Sequence, residues 1–137
     1  MSTLLLNTLT GKTSAGSIVV TGEGGSTTTN LQQGLCKAWI NFTGITTTAA
    51  RDSFNMSVVT DVGAGQTTLG ITNDMGNANY SGYYFTSAST GTAYSNFGNA
   101  FTGGFGSFAA GQCSVNAYTS TNFDSYQNLV GLFGDLA

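Results

Sequence analysis

The stretch Leu35-Cys36-Lys37-Ala38-Trp39-Ile40-Asn41-Phe42 decides the fold. Cys36, Ala38, Ile40 and Phe42 fall on one face, and Lys37, Trp39 and Asn41 on the other. A two-residue period marks a half-buried strand, because successive side chains of extended backbone point to opposite sides. A helix would bring its apolar residues back every three or four positions instead.

The same alternation recurs downstream. Phe54–Thr60 places Phe54, Met56 and Val58 on one side, and Gln66–Thr72 does so with Thr67, Leu69 and Ile71. Asp61-Val62-Gly63-Ala64-Gly65 between them reads as a hairpin loop, with glycine available for positive φ. Tyr80–Ser87 is an aromatic strand with Tyr80 and Tyr84 opposite Tyr83 and Phe85. Gln112–Thr119 alternates through Cys113, Val115 and Ala117, and Asn128–Phe133 is a last strand. Asn73–Asn79 is a turn cluster, and a weak helical pairing can be argued only at Thr46–Arg51. Six evenly spaced strands predict an all-β, antiparallel sandwich or barrel-like domain.

Upstream the pattern loosens. Thr3–Thr8 and Ser17–Thr21 are short β-prone segments around a loop at Gly11–Gly16, and Gly22–Asn30 has the Gly/Ser/Thr composition of a linker. Residues 1–30 therefore read as a short extended N-terminal arm and linker, and residues 31–137 as the exposed β-domain. Such an arm buries little apolar area alone and needs a partner surface or an oligomer.

Composition narrows the chemistry. The chain has 137 residues, of which 7% are charged, and no His or Pro. Without imidazole, a Ser-His-Asp triad cannot be built within one chain. Two Cys and no His fall short of a four-ligand zinc site. Three basic residues and a net charge of −3 leave no clustered cationic footprint for nucleic acid. The longest apolar opening, Leu4-Leu5-Leu6, is far from the roughly 18 residues of a spanning helix. No membrane insertion and no targeting signal are expected, and the opening Met suggests a complete gene product. Cys36 and Cys113 read as buried reduced thiols, a disulfide remaining open.

The carboxylates Glu23, Asp52, Asp61, Asp74, Asp124 and Asp135 form no close pair in sequence and read as turn and loop residues, with Arg51-Asp52 placed to pin a loop. The oxygen-rich Asn73–Asn79 run misses the calcium-loop spacing. No catalytic residue, metal site or cofactor is expected. Ala88–Gly111, with Tyr94, Phe97, Phe101, Phe105 and Phe108 among glycines, reads as a long ordered loop. Its candidate receptor or partner contacts are Tyr94, Asn96, Phe97, Asn99 and Phe101, since aromatics give contact area at small entropic cost. The candidate core or subunit-interface anchors are Trp39, Phe42 and Phe54. A polar but nearly uncharged surface with so few Lys and no Pro leaves strand edges poorly protected, which favours burying them between subunits.

Several motifs combine into a resemblance. Lys37-Ala38-Trp39-Ile40-Asn41-Phe42-Thr43-Gly44, Arg51-Asp52-Ser53-Phe54-Asn55-Met56-Ser57, Thr60-Asp61-Val62-Gly63-Ala64-Gly65 and Met75-Gly76-Asn77-Ala78-Asn79-Tyr80 resemble a module of tail fibre and other virion proteins of tailed phages, notably marine and cyanobacterial ones. Gly76 stands where that pattern usually has Pro. The opening Met1-Ser2-Thr3-Leu4, the run Thr28–Gly34 and the close Leu132-Phe133-Gly134-Asp135 are similar to such proteins too. The resemblance covers most of the chain and is weakest over Ala88–Gly111.

It implies a non-enzymatic, β-rich virion protein, homotrimeric and exposed on a particle assembled in the host cytoplasm. Its partners would be itself, other tail or capsid proteins, and a host surface glycan or protein. Two placements follow: a tail fibre or receptor-binding tip, and a capsid decoration or head-fibre protein, which a short arm suits. A depolymerase acting on host polysaccharide is a remote third, disfavoured by the shortage of carboxylates.

Overall fold

The computed structural model describes residues 3–13, 18–87, 102–118 and 121–137. The chain divides into two compact units, Met1–Leu35 and Cys36–Ala137.

In the first unit, β1 (Val19–Thr21) pairs antiparallel with β2 (Thr28–Asn30), and a single turn of helix, α1 (Leu31–Gly34), follows. Asn30 caps α1 by accepting from the Gln33 N–H at 3.2 Å. The stretch read as a linker is thus the turn and second strand of a hairpin. Gly24 and Gly25, at φ 100° and 82°, supply a reversal that Cβ-bearing residues resist. Thr3–Thr8 forms no strand. β-propensity without a pairing partner does not make a ladder. No described residue of this unit is buried, and Leu4, Leu5, Leu6 and Leu9 stand in solvent.

The second unit is an antiparallel β-sandwich. Its strands are β3 (Cys36–Thr43), β4 (Ala49–Phe54), β5 (Met56–Gly63), β6 (Gln66–Ile71), β7 (Ser81–Thr86), β8 (Thr102–Ala109), β9 (Gln112–Tyr118) and β10 (Asn128–Phe133). One sheet runs β4-β3-β10-β7 and the other β5-β6-β9-β8. Ala38, Ile40, Phe42, Val130 and Leu132 of the first sheet meet Leu69, Ile71, Cys113 and Val115 of the second in one buried cluster, closed by Met75 and Tyr80. The inward faces expected for β3, β6 and β9 are these. The β5–β6 hairpin also forms, with Gly65 at φ 66° beneath the carbonyls of Ala117 and Phe123, where a Cβ would have no room.

Three expectations are corrected. The helical pairing at Thr46–Arg51 gives way to a turn, with Thr46 at φ 62°, and the start of β4. Phe54–Thr60 is not one strand: Asn55, at φ 56°, turns the chain from β4 of one sheet into β5 of the other. Phe54 and Val58 are therefore exposed, while Met56 packs on the core. Part of the long loop, Thr102–Ala109, is a strand. Phe105 and Phe108 lie three apart, a spacing that a regular strand would send to opposite faces. A bulge at Gly106 absorbs the odd residue, so that they face the inward Val115 and Cys113 respectively. Their rings pack 4.8 Å apart.

Candidate functional site: an exposed aromatic face

The outer face of the β4-β3-β10-β7 sheet carries the unusual feature. Trp39 lies directly opposite Phe54, and on its other side opposite Gly131, which pairs with Tyr83. This makes a row across all the strands of the sheet: Phe54, Trp39, Gly131, Tyr83. The Tyr83 ring lies over Gly131, whose missing side chain leaves the space, since a Cβ there would meet the ring. Asp52, Asn41, Leu129 and Phe85 form the next row. Tyr83 and Phe85 rings sit 5.5 Å apart, and Phe133 is 6.1 Å from Tyr83. Trp39 is 36% exposed, Tyr83 43%, Phe54 54% and Phe85 63%. Contiguous exposed apolar surface on a folded protein is a general candidate for contact with another molecule.

Of the expected anchors, Phe42 alone is in the core, 1% exposed. Trp39 and Phe54 are not core residues. The alternation that buries Ala38 and Ile40 turns Trp39 outward, and the Asn55 corner detaches Phe54 from Met56. Tyr94, Asn96, Phe97, Asn99 and Phe101 lie outside the described residues. Tyr83, Phe85, Leu129 and Phe133 were missed as surface residues. The signal was present in the alternation of Tyr80 and Tyr84 against Tyr83 and Phe85, which left one aromatic pair without a core to enter.

Polar contacts hold the rim in place. Arg51 donates from Nη2 to the Tyr126 carbonyl at 2.8 Å, and its guanidinium stacks 4.4 Å above the Tyr126 ring. It pins the approach to β10, as the sequence suggested, by a backbone hydrogen bond. Beneath, Asn128 receives the Tyr84 hydroxyl at 2.6 Å, and Thr86 contacts Ser125 at 2.5 Å. Asn41 Oδ1 is buried and has no hydrogen-bond partner among the described residues.

Titratable chemistry is muted. Burial pushes Tyr84 up to about 12 and Cys113 up to about 11, and Tyr80 rises further for the same first cause. These groups stay protonated near neutrality, so Cys113 offers no thiolate there. Both Cys are free thiols, Cys113 buried and Cys36 only partly so. Three carboxylates accept from backbone N–H groups: Asp52 from Ser53 at 2.8 Å, Asp61 from Gly63 at 3.0 Å, and Asp124 from Gly65 at 2.8 Å. Among the described residues no three His, Cys, Asp or Glu gather as metal ligands, and no helix is long and apolar enough to cross a membrane.

No known family model matches the chain, and neither the curated proteins nor the solved structures compared with it give a match.

Proposed function

We propose that this chain is a non-enzymatic structural protein of a tailed-phage particle, exposed on its surface as a tail-fibre or receptor-binding type appendage, and that it works by contact. The observation that carries the reading is the aromatic face around Trp39, Phe54, Tyr83 and Phe85, set on a rigid sheet. The motif resemblance supplies the particle context: itself as a homotrimer, neighbouring virion proteins and a host surface molecule are the partners it implies. A stiff sandwich holds such a face in one geometry, and rigid aromatics lose little entropy on binding.

The exposed leucines Leu4, Leu5, Leu6 and Leu9 favour a second role for the first unit, attachment to a particle protein. A capsid decoration protein would use the same parts. Counting copies in purified particles by quantitative mass spectrometry against the major capsid protein separates the readings. A few tens of copies or fewer fit a tail appendage, and hundreds fit decoration of the shell. Absence from the particle overturns both.

A further inference from the structure

The edge strands of the two sheets, as the described residues show them, are not alike. An edge strand presents unpaired N–H and C=O groups, and proteins blunt such edges with charges, Pro or bulges. β4 carries the extra residue Arg51 between Ala50, opposite Phe42, and Asp52, opposite Asn41. β5 shifts register between Met56 and Val58 and again between Asp61 and Gly63, and bears a carboxylate at Asp61. β8 is bulged between Phe105 and Ser107. β7 has none of these devices. Its residues Ser81-Gly82-Tyr83-Tyr84-Phe85-Thr86 pair with β10 without a shift and carry no charge. Among the described residues, the sheet ends at β7.

We propose that β7 is the edge to which a second copy of this chain adds, antiparallel and through its own β7, so that the two sheets become continuous across a two-fold axis. The hydrogen-bond directions fix the register. Ser87 donates its N–H to the Gln127 carbonyl at 2.9 Å, toward the β10 side. Backbone groups alternate along a strand, so Phe85, Tyr83 and Ser81 also turn toward β10, and Gly82, Tyr84 and Thr86 turn outward. A two-fold axis normal to the sheet keeps each face on its own side, so it must be centred on a residue. Centred on Tyr84, it pairs Tyr84 with the partner's Tyr84 and Gly82 with the partner's Thr86. Every outward backbone group of the strand then has a mate. In the closer pairs between them, Tyr83 lies opposite the partner's Phe85, and Phe85 opposite the partner's Tyr83. Aromatic cross-strand pairs stabilise antiparallel sheets.

A second copy fits this edge for an electrostatic reason too. Near a two-fold axis every charge meets its own image, which opposes self-pairing through β4 or β5. β7 brings no charge to the axis. The pairing is independent of the particle assignment. It doubles whatever assembly the other surfaces make, so blocking it halves the mass.

The test is the mass of the purified full chain in solution, by light scattering, for three forms: unmodified, Tyr83→Lys with Phe85→Lys, and Tyr83→Lys with Phe85→Glu. Both side chains are exposed, so circular dichroism and thermal melting should register the native fold in each. The Lys/Lys form sets like charges opposite each other and is expected to halve the mass. The Lys/Glu form sets opposite charges together and is expected to restore it. An unchanged mass in the first, or no restoration in the second, overturns the proposal. Hydrogen exchange on the unmodified chain gives a second reading that needs no variant. The amides of Gly82, Tyr84 and Thr86 should be protected in concentrated protein and exchange freely on dilution. Free exchange at every concentration overturns the pairing.

Discussion

At the residue scale, Asn55 turns the chain from one sheet into the other. It adopts φ 56°, which L-residues other than Asn and Asp rarely tolerate. Its side chain donates to the carbonyls of Lys37 at 3.0 Å and Asn73 at 3.1 Å, and accepts from the Asn73 N–H at 2.8 Å. Three segments meet on one amide, at the point where the chain leaves one sheet for the other. Asn55→Ala adds backbone strain to lost hydrogen bonds and is expected to cost about 3 kcal/mol in urea unfolding. Asn55→Gly relieves the strain and should cost less. An alanine variant as stable as the parent would contradict this. Buried hydroxyl and thiol groups set the pH response. The folded pKa values of Tyr84 and Cys113, about 12 and about 11, lie above their ordinary values of 10.0 and 9.0. A raised folded pKa contributes stability that is fully present below the unfolded value and is lost as pH climbs through the folded one. Unfolding free energy should therefore hold level from pH 6 to 8 and fall between about pH 9 and 12. Tyr80 extends the loss toward still higher pH. Urea titrations at stepped pH would show it, and a flat profile to pH 12 would contradict the buried, protonated network.

At the element scale, the strands that alternate without interruption were legible in the sequence. β3, β6 and β9 each bury their apolar face at an uninterrupted two-residue period, so that period survives in the residue order. β4 and β8 were not legible, for two different reasons. β4 has no buried side chain to give a period, since it is exposed along its length. β8 has its period broken by Gly106. A bulge is a three-dimensional repair that sequence periodicity cannot register. Deleting Gly106 would leave Phe105 and Phe108 two apart, the spacing of a regular strand, so both should stay opposite Val115 and Cys113. The expected loss in urea unfolding is under about 1 kcal/mol, because no large side chain leaves the core. A deletion variant that loses about 3 kcal/mol would contradict this and mean that the bulge itself is needed for packing. The aromatic face was half legible. The alternation marked Tyr83 and Phe85 as opposite to Tyr84, but only the register across β10 joins them to Trp39 and Phe54. Gly131 makes that junction possible. Gly131→Val should displace the Tyr83 ring, which can be followed by the chemical shifts of the ring and by weaker self-association.

At the scale of the whole molecule, the chain joins two units of different kinds. Cys36–Ala137 has one core drawn from both of its sheets. Met1–Leu35 has a hairpin and a row of solvent-facing leucines. We propose attachment for the first unit and exposed contact for the second. Removing residues 1–30 should leave a cooperatively melting β-domain that no longer joins the particle. Full incorporation of the truncated chain would contradict the attachment role. Whether the aromatic face is a contact surface or spare hydrophobic area is tested directly by Trp39→Ser combined with Phe54→Ser. Both side chains lie outside the core, so the melting temperature should stay within several degrees of the parent. Incorporation into particles, or attachment of those particles to host cells, should be lost. A variant that folds, assembles and attaches as the parent does would contradict the account.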